Sequence, residues 1–375
     1  MGKKRVIVAG HACLDITPVF PSDTKATVLG EVLSPGKLVQ MKGADINPGG
    51  AVSNTGIAMK LLGIDVSLAA KIGEDGFGTI LSGIYDSYGA GSGIIACKGE
   101  RTSYSAVIAV PGIDRIFLHD PGANNTFSLE DVKKLDFTDV VLFHFGYPPL
   151  MEKIFENQGQ QLVEIFKYVK SLGVATSLDM VMVDENSLAG RQDWKEILKK
   201  VLPYVDFFVP SVEETCWMLD RGRYQEWAGR TKGGDMCLCI KPEDIKPLAD
   251  TVIEYGAKVL LLKCGAPGLY YKTASEKEMT ELAEITGLNP KTWSNKEGFE
   301  ASFRPSKVVS GTGAGDTTIA AFLTSMLKGD SLEGAVRLAA AEGASCVEDY
   351  GALGGIKSLD ELRTKIAAGW ENNSF

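Results

Sequence analysis

A chain of 375 residues, 45% hydrophobic and 23% charged, can bury a large core and has the composition of an ordinary globular protein. Its net charge of −9, without a basic stripe, argues against a nucleic-acid partner. No apolar run approaches the ~20 residues that a membrane span requires.

Seven cysteines are scattered along the chain, and Cys237 and Cys239 form a C-x-C rather than the C-x-x-C of zinc or redox sites. A reducing cytosol is the simplest account, so the expectation is a soluble cytoplasmic protein. Lys3-Lys4-Arg5 reads as solvated surface, and the apolar run 6–9 is too short for a signal peptide.

Residues 5–9 predict a buried strand ending at Gly10, with Asp15 just beyond, where open α/β sheets place their ligands. Between 19 and 47, the pairs Val28-Leu29, Val32-Leu33 and Leu38-Val39 alternate with Gly and Pro and predict short antiparallel strands. Asn47-Pro48-Gly49-Gly50 then opens a helix that runs to Leu62. The paired glycines let backbone approach a ligand closely, and Asn54, one turn in, faces the same way. Ser53 and Asn54 read equally as polar residues of a helix start.

A strand over 66–72, a turn over 73–78 and a helix over 79–88 follow. Residues 103–110 and 115–119 predict two strands joined by Pro111-Gly112-Ile113-Asp114. A continuous apolar run over 140–145 has the character of a buried strand. Helices over 152–171 and 194–202 alternate with strands over 174–178 and 206–209, which implies a parallel sheet with helical crossovers. Ser211-Val212-Glu213-Glu214 starts a further helix, where acids commonly serve only the helix dipole.

Residues 221–241 form an irregular insertion without an assignable role. A helix over 242–255 leads to a strand over 258–263 and a hairpin through Cys264-Gly265-Ala266-Pro267-Gly268. Lys263, at a strand end beside a glycine turn, can reach a phosphate or stand as a plain surface lysine. Residues 275–300 predict a partly helical loop, and helices over 331–347 and 358–366 complete the cover. With no repeat and no linker, residues 1–375 read as one domain.

Ser310-Gly311-Thr312-Gly313-Ala314-Gly315-Asp316 stands between a β-like stretch, 307–309, and a helix over 317–327. Glycines allow the tight turn of an anion cradle, and helix N-termini favour negative charge. An acid at that place is a poor phosphate ligand but a well-placed base, so the combination points to phosphoryl transfer to a hydroxyl. The competing reading is a loop ending in an Asp helix cap. A P-loop needs Lys-Ser or Lys-Thr after its last glycine, and here Asp316-Thr317 follows.

In order and spacing, Asp15, Gly49-Gly50-x-x-x-Asn54, Pro121-Gly122-Ala123-Asn124, Glu214, Gly265 and Gly313-Ala314-Gly315-Asp316 resemble the ribokinase-like, or PfkB, carbohydrate kinase family. The resemblance covers nearly the whole chain. It implies a doubly wound α/β fold, a mostly parallel sheet with helices on both faces, and a small β-sheet lid drawn from about 12–48 and 94–120. It implies an ATP-dependent phosphotransferase acting on a hydroxyl of a sugar or sugar-like molecule, with Mg2+ as partner. A nucleoside kinase of the same fold, and a catalytically silent ligand-binding relative, are the alternatives.

By the same resemblance, Asp316 is the general base and the amides of Gly313, Ala314 and Gly315 are the anion hole. Asp15, Gly49, Gly50 and Asn54 hold the acceptor hydroxyls. Glu214 positions magnesium through water, and Lys263 and Gly265, with Gly313 and Gly315, lie at the nucleotide phosphates. A lid with one apolar face would leave that face exposed on a monomer, so a homodimer through the lid is expected.

Three departures stand out. Ser310 occupies a position where many members carry an aspartate, which weakens the expectation of a monovalent-cation site. Ser211 replaces an asparagine and Lys263 a frequent threonine. The segment Phe143-His144-Phe145-Gly146-Tyr147-Pro148-Pro149 falls where the sheet meets the acceptor pocket and matches no particular substrate class.

Overall fold

The computed structural model describes residues 4–113, 115–231 and 234–373. Lys3 of the basic cluster, Asp114 of the predicted turn and residues 232–233 of the insertion lie outside the described residues. The strands are β1 (Arg5–Gly10), β2 (Cys13–Val19), β3 (Gly43–Gly49), β4 (Asp65–Ala69) and β5 (Lys71–Gly73). They continue with β6 (Ile95–Cys97), β7 (Tyr104–Ile108), β8 (Ile116–Asp120), β9 (Val140–Gly146) and β10 (Ala175–Asp179). The last four are β11 (Phe207–Phe208), β12 (Val259–Lys263), β13 (Gly268–Thr273) and β14 (Glu297–Ala301).

Eight of them form one sheet in the order β14-β13-β12-β11-β10-β9-β1-β4. Its pairs are parallel from β4 to β12, whereas β13 and β14 run antiparallel at one edge. The strand interior explains why it is covered on both faces. Successive side chains of a strand point to opposite sides, and in β1 Val6 and Val8 enter one apolar layer while Ile7 and Ala9 enter the other. The first layer includes Ile57, Ile319, Phe322 and Val336 from helices Gly50–Leu61, Ala314–Leu327 and Leu332–Cys346. The second includes Phe166 and Leu198 from helices Glu152–Ser171 and Trp194–Val201.

A second, four-stranded sheet has the order β3-β2-β7-β8. On it Phe117 and Leu118 are 53% and 58% exposed, and Ile46 is also exposed. β5 and β6 make a separate parallel pair. Among the described residues no helix is long and apolar enough to cross a membrane.

Four sequence expectations are corrected. No strand forms over 28–39: only a single 3-10 turn, Leu29–Glu31, interrupts the loop between β2 and β3. Leu29, Val32 and Val39 instead pack on a small apolar cluster of Phe20, Ala26 and Val110, while Leu38 is exposed. Prolines and glycines at 21, 30, 35 and 36 leave no stretch with strand alternation. Residues 307–309 are likewise not a strand, and Val308 and Val309 face solvent. The 221–241 insertion contains a helix, Arg221–Thr231, and the 275–300 segment, helical as expected over Glu276–Thr286 and Pro290–Trp293, runs into β14 at the sheet edge rather than remaining loop.

Candidate active site

The parallel register lines up three strand ends. Gly10 pairs with Gly146 and Gly146 with Asp179, so His11, Tyr147 and Asp179 all emerge at the same carboxyl edge. The backbone continues the match: His11 N–H donates to the Gly146 carbonyl (3.1 Å) and Tyr147 N–H to the Asp179 carbonyl (3.3 Å). A Cβ on Gly10 would lie 2.3 Å from the Gly146 oxygen, and Gly10 has φ +123°, so only glycine serves there. Ligands in open α/β sheets sit at this edge.

Asp316 is brought to it by the helix Ala314–Leu327. Gly313 is the N-cap in the left-handed region (φ 76°) and contributes no side-chain cap. Asp316 sits in the first turn, buried, and its carboxylate does not cap the helix. It accepts from Asn54 Nδ2 at 3.0 Å and Thr55 Oγ1 at 3.3 Å, both on the helix Gly50–Leu61. Tyr147 Oη completes the set, within 2.9 Å of Oδ1 and 3.0 Å of Oδ2. The helix-cap reading of this aspartate is therefore set aside. Burial raises the Asp316 pKa above the usual carboxylate range, opposed by the bond from Asn54, the charge of Lys263 and the bonds from Tyr147 and Thr55.

Lys263, at the end of β12, lies against the same turn. A Cβ on Gly315 would make ordinary contact with its Cδ and Cε, at 3.4 and 3.5 Å. Its Nζ donates to Asp179 Oδ1 at 2.6 Å and to the Val209 carbonyl at 2.8 Å. Burial works against the ammonium, but the negative charges of Asp179, Glu214 and Asp316 outweigh it and hold Lys263 above its ordinary pKa. Glu214 is held by a capping box: its Oε2 accepts from Ser211 N–H at 2.7 Å, and its own N–H donates to Ser211 Oγ at 3.1 Å. Ser211 bridges Lys263 in parallel fashion, which fixes Glu214 beside the ammonium. Gly265 has φ +60°, and a Cβ there would press within 3.3 Å of Cys237.

On the opposite wall, β2 pairs with β3 so that Asp15 faces Asn47 and Cys13 faces Gly49. A Cβ on Gly49 would fall 2.3 Å from Asp15 Oδ2, and one on Gly50, at φ +83°, would fall 2.6 Å from His11 Nδ1. These glycines therefore make room for the carboxylate and the imidazole. Burial raises the Asp15 pKa, against hydrogen bonds from Cys13 and Ser105. Asp15, Asn47, Asn54, Arg115, Ser310 and Thr312 line a cleft of about 830 Å³ between the small sheet and the loops 308–312 and 349–354. Asn54 Oδ1 is buried without a partner, although Asn54 Nδ2 is given to Asp316. Asn124 fastens this wall, donating to the Ala12 carbonyl at 2.9 Å and accepting from Ala12 N–H at 3.2 Å.

The structure thus sets Gly313, Ala314, Gly315, Asp316, Lys263 and Glu214 at the carboxyl edge of the large sheet, with Asp15, Gly49, Gly50 and Asn54 on the wall facing it and Asn54 bonded to Asp316. Tyr147, named from sequence only within the segment 143–149, joins them together with Asp179, His11 and His119, which were not singled out. A charged or polar residue directly after a buried parallel strand is the signal that could have found Tyr147 and Asp179. The arrangement can hold a hydroxyl near a buried carboxylate and a polyanion near Lys263 and the glycine turn.

Residues 4–358 match the family model described as pfkB family carbohydrate kinase. An uncharacterised sugar kinase of Archaeoglobus fulgidus is 25% identical over 312 residues, covering 81% of this chain and 100% of that protein. A putative ribokinase II from E. coli superposes with a TM-score of 0.71 at 21% identity, covering 97% of this chain and 99% of the other. An Arabidopsis thaliana ribokinase complexed with ribose and ATP gives a TM-score of 0.68 at 20% identity, covering 96% and 98%.

Proposed function

Because the chain belongs to the pfkB family of carbohydrate kinases, we propose that it transfers the terminal phosphoryl group of ATP to a hydroxyl of a sugar or sugar-like small molecule, with Asp316 as general base. The observation that carries the reading is the buried Asp316 carboxylate, directed by Asn54, Thr55 and Tyr147 away from its own helix cap and set beside the Gly313–Gly315 turn. The solved relative with ribose and ATP bound supports it by analogy of fold.

In this reading Asp316 takes the acceptor proton as the phosphoryl group arrives. The amides of Gly313, Ala314 and Gly315 receive the transferring oxygens, since helix N-termini favour anions. Asp15, Gly49, Gly50 and Asn54 recognise the acceptor: a carboxylate accepts from two hydroxyls, and the unpartnered Asn54 Oδ1 has room for another. Lys263 and Gly265 lie on the nucleotide side. Magnesium fits the donor set there. Glu214 spends one oxygen on Ser211, and its second can accept from a metal-bound water, the usual protein share in a Mg2+–nucleotide site. When bound, magnesium supplies charge neutralisation to the phosphates.

The four-stranded sheet acts as a lid in this account, excluding water so that ATP is not wasted. Its exposed Ile46 and Leu118, which share one face of the sheet, support pairing of two lids into a homodimer. Seven free cysteines support a reducing cytoplasm. A panel of sugars, polyols and nucleosides, read by ADP formation with ATP and magnesium, tests the function. Activity confined to no acceptor, with ATP bound normally, would favour a silent binding protein.

A further inference from the structure

Only three histidines occur in the chain, and two of them meet. His11 Nε2 and His119 Nε2 lie 3.1 Å apart, one in the loop after β1 and the other on β8 of the small sheet. Cys13 joins them: its sulfur and one nitrogen of each ring all fall within 4.8 Å of one another. Two imidazoles and a thiol converging on one point is a donor set for a borderline-soft cation rather than for magnesium, which prefers oxygen.

The spacing suits a metal. Two nitrogens on a tetrahedral zinc, with Zn–N near 2.0–2.1 Å, stand about 3.3 Å apart, so the rings need to part only slightly. Outer contacts suit it as well. His119 Nδ1 lies 3.1 Å from Ser105 Oγ, a contact that orients the ring with Nε2 toward His11. Cys13 Sγ lies 3.3 Å from Asp15 Oδ1 and 3.8 Å from Ser105 Oγ. A thiolate and the Asp15 carboxylate together balance the charge of a divalent ion. Without such an ion the Cys13 thiol donates to that carboxylate, and binding the cation releases the thiol proton.

An entry path exists, because His119 also lines a cleft of about 310 Å³ that opens beside Pro149 and Met182. Three ligands leave a fourth position for water or another oxygen ligand, the pattern of open zinc sites. We infer that His11, Cys13 and His119 form a three-ligand binding site for Zn2+ or a similar borderline divalent cation. Occupancy bolts the outer strand of the small sheet to the carboxyl end of β1, next to Asp15. This site is separate from the magnesium of the phosphoryl-transfer reading and does not depend on it.

The test uses the full-length chain, stripped of metal and reduced, titrated with Co2+ as a coloured probe and with Zn2+ by calorimetry. One equivalent of Co2+ should bind with a sulfur-to-cobalt charge-transfer band and intense visible bands of tetrahedral cobalt, and Zn2+ should abolish both. Cys13→Ser should lose the charge-transfer band. His119→Ala, or the gentler His119→Gln if the first misfolds, should weaken Zn2+ binding by about tenfold or more. Glu213, Asp235 and Cys237 form a second group of donors, so Cys237→Ser serves as control and should change neither signal. Absence of stoichiometric binding at micromolar Zn2+ would overturn the site. So would a charge-transfer band that survives Cys13→Ser or disappears in Cys237→Ser.

Discussion

The phenol of Tyr147 reaches both carboxylate oxygens of Asp316, at 2.9 and 3.0 Å, from a residue held in the left-handed region at φ 64°. A non-glycine residue there is strained, and the pairing with Asp316 is one contact that keeps it so. An acceptor hydroxyl that yields its proton to Asp316 has to reach these same oxygens, so Tyr147 either shares them or swings aside.

Asp316→Asn isolates the base. Asparagine keeps the size and can still accept through Oδ1 from Asn54, Thr55 or Tyr147, so the fold should hold. It cannot take a proton, and turnover should fall by roughly 10²–10⁴-fold, the usual worth of a positioned base. Nucleotide affinity should change little. Steady-state kinetics beside a melting curve checks this; turnover within a few-fold of the parent at equal stability would remove Asp316 from the mechanism.

The pH profile carries a second expectation. A base works deprotonated, and burial has raised the Asp316 pKa, so activity should fall with decreasing pH at a higher value than an ordinary carboxylate would give. Tyr147 donates to the carboxylate and lowers that pKa. Tyr147→Phe should therefore move the acid limb of kcat/KM further toward high pH. A limb that stays in place or moves down would contradict the assignment.

Monovalent cations are the third test. Ser310 Oγ is neutral and accepts from Arg115 Nη1 at 3.1 Å, so a permanent cation already stands beside it. Potassium should activate weakly or not at all. Strong activation by potassium that Ser310→Ala abolishes would show this to be wrong.

The fourth concerns assembly. Light scattering at micromolar concentration should give the mass of a dimer, and Leu118→Asp, which puts a charge on the exposed face that Leu118 shares with Ile46, should shift it to monomer. A monomeric parent would end the proposal of lid pairing.

Legibility in the sequence followed the range of the interactions. The Gly313-Ala314-Gly315-Asp316 turn and the Gly49-Gly50 helix start are local, and chain chemistry alone marked them. Strands such as 140–145 were visible because burial on both faces leaves a continuous apolar run. Asp179 and His119 were invisible, and Tyr147 stood out only as part of the segment 143–149, because strand register, not spacing, brings them together. The apolar pairs at 28–39 misled for the opposite reason: they pack on Phe20 and Val110 as a loop, without strand partners. Val308 and Val309 had β-like composition but no neighbouring edge to join.

The apolar layer beneath Asp316 unites β1 with the helices Ala314–Leu327 and Leu332–Cys346, which follow it far along the sequence. A chain still emerging from the ribosome holds Val6 and Val8 long before Ile319, Phe322 or Val336 exist to cover them. Helix Gly50–Leu61, whose Gly56 lies against Val8, can cover part of that face early, but the part that takes Ile319, Phe322 and Val336 stays bare until they are made, a period of exposure to chaperones and to aggregation. Ordering bears on the proposed chemistry too: Asp316 is made after Asn54, Thr55, Tyr147 and Lys263, so a chain that stops short of it would lack the carboxylate proposed to take the proton.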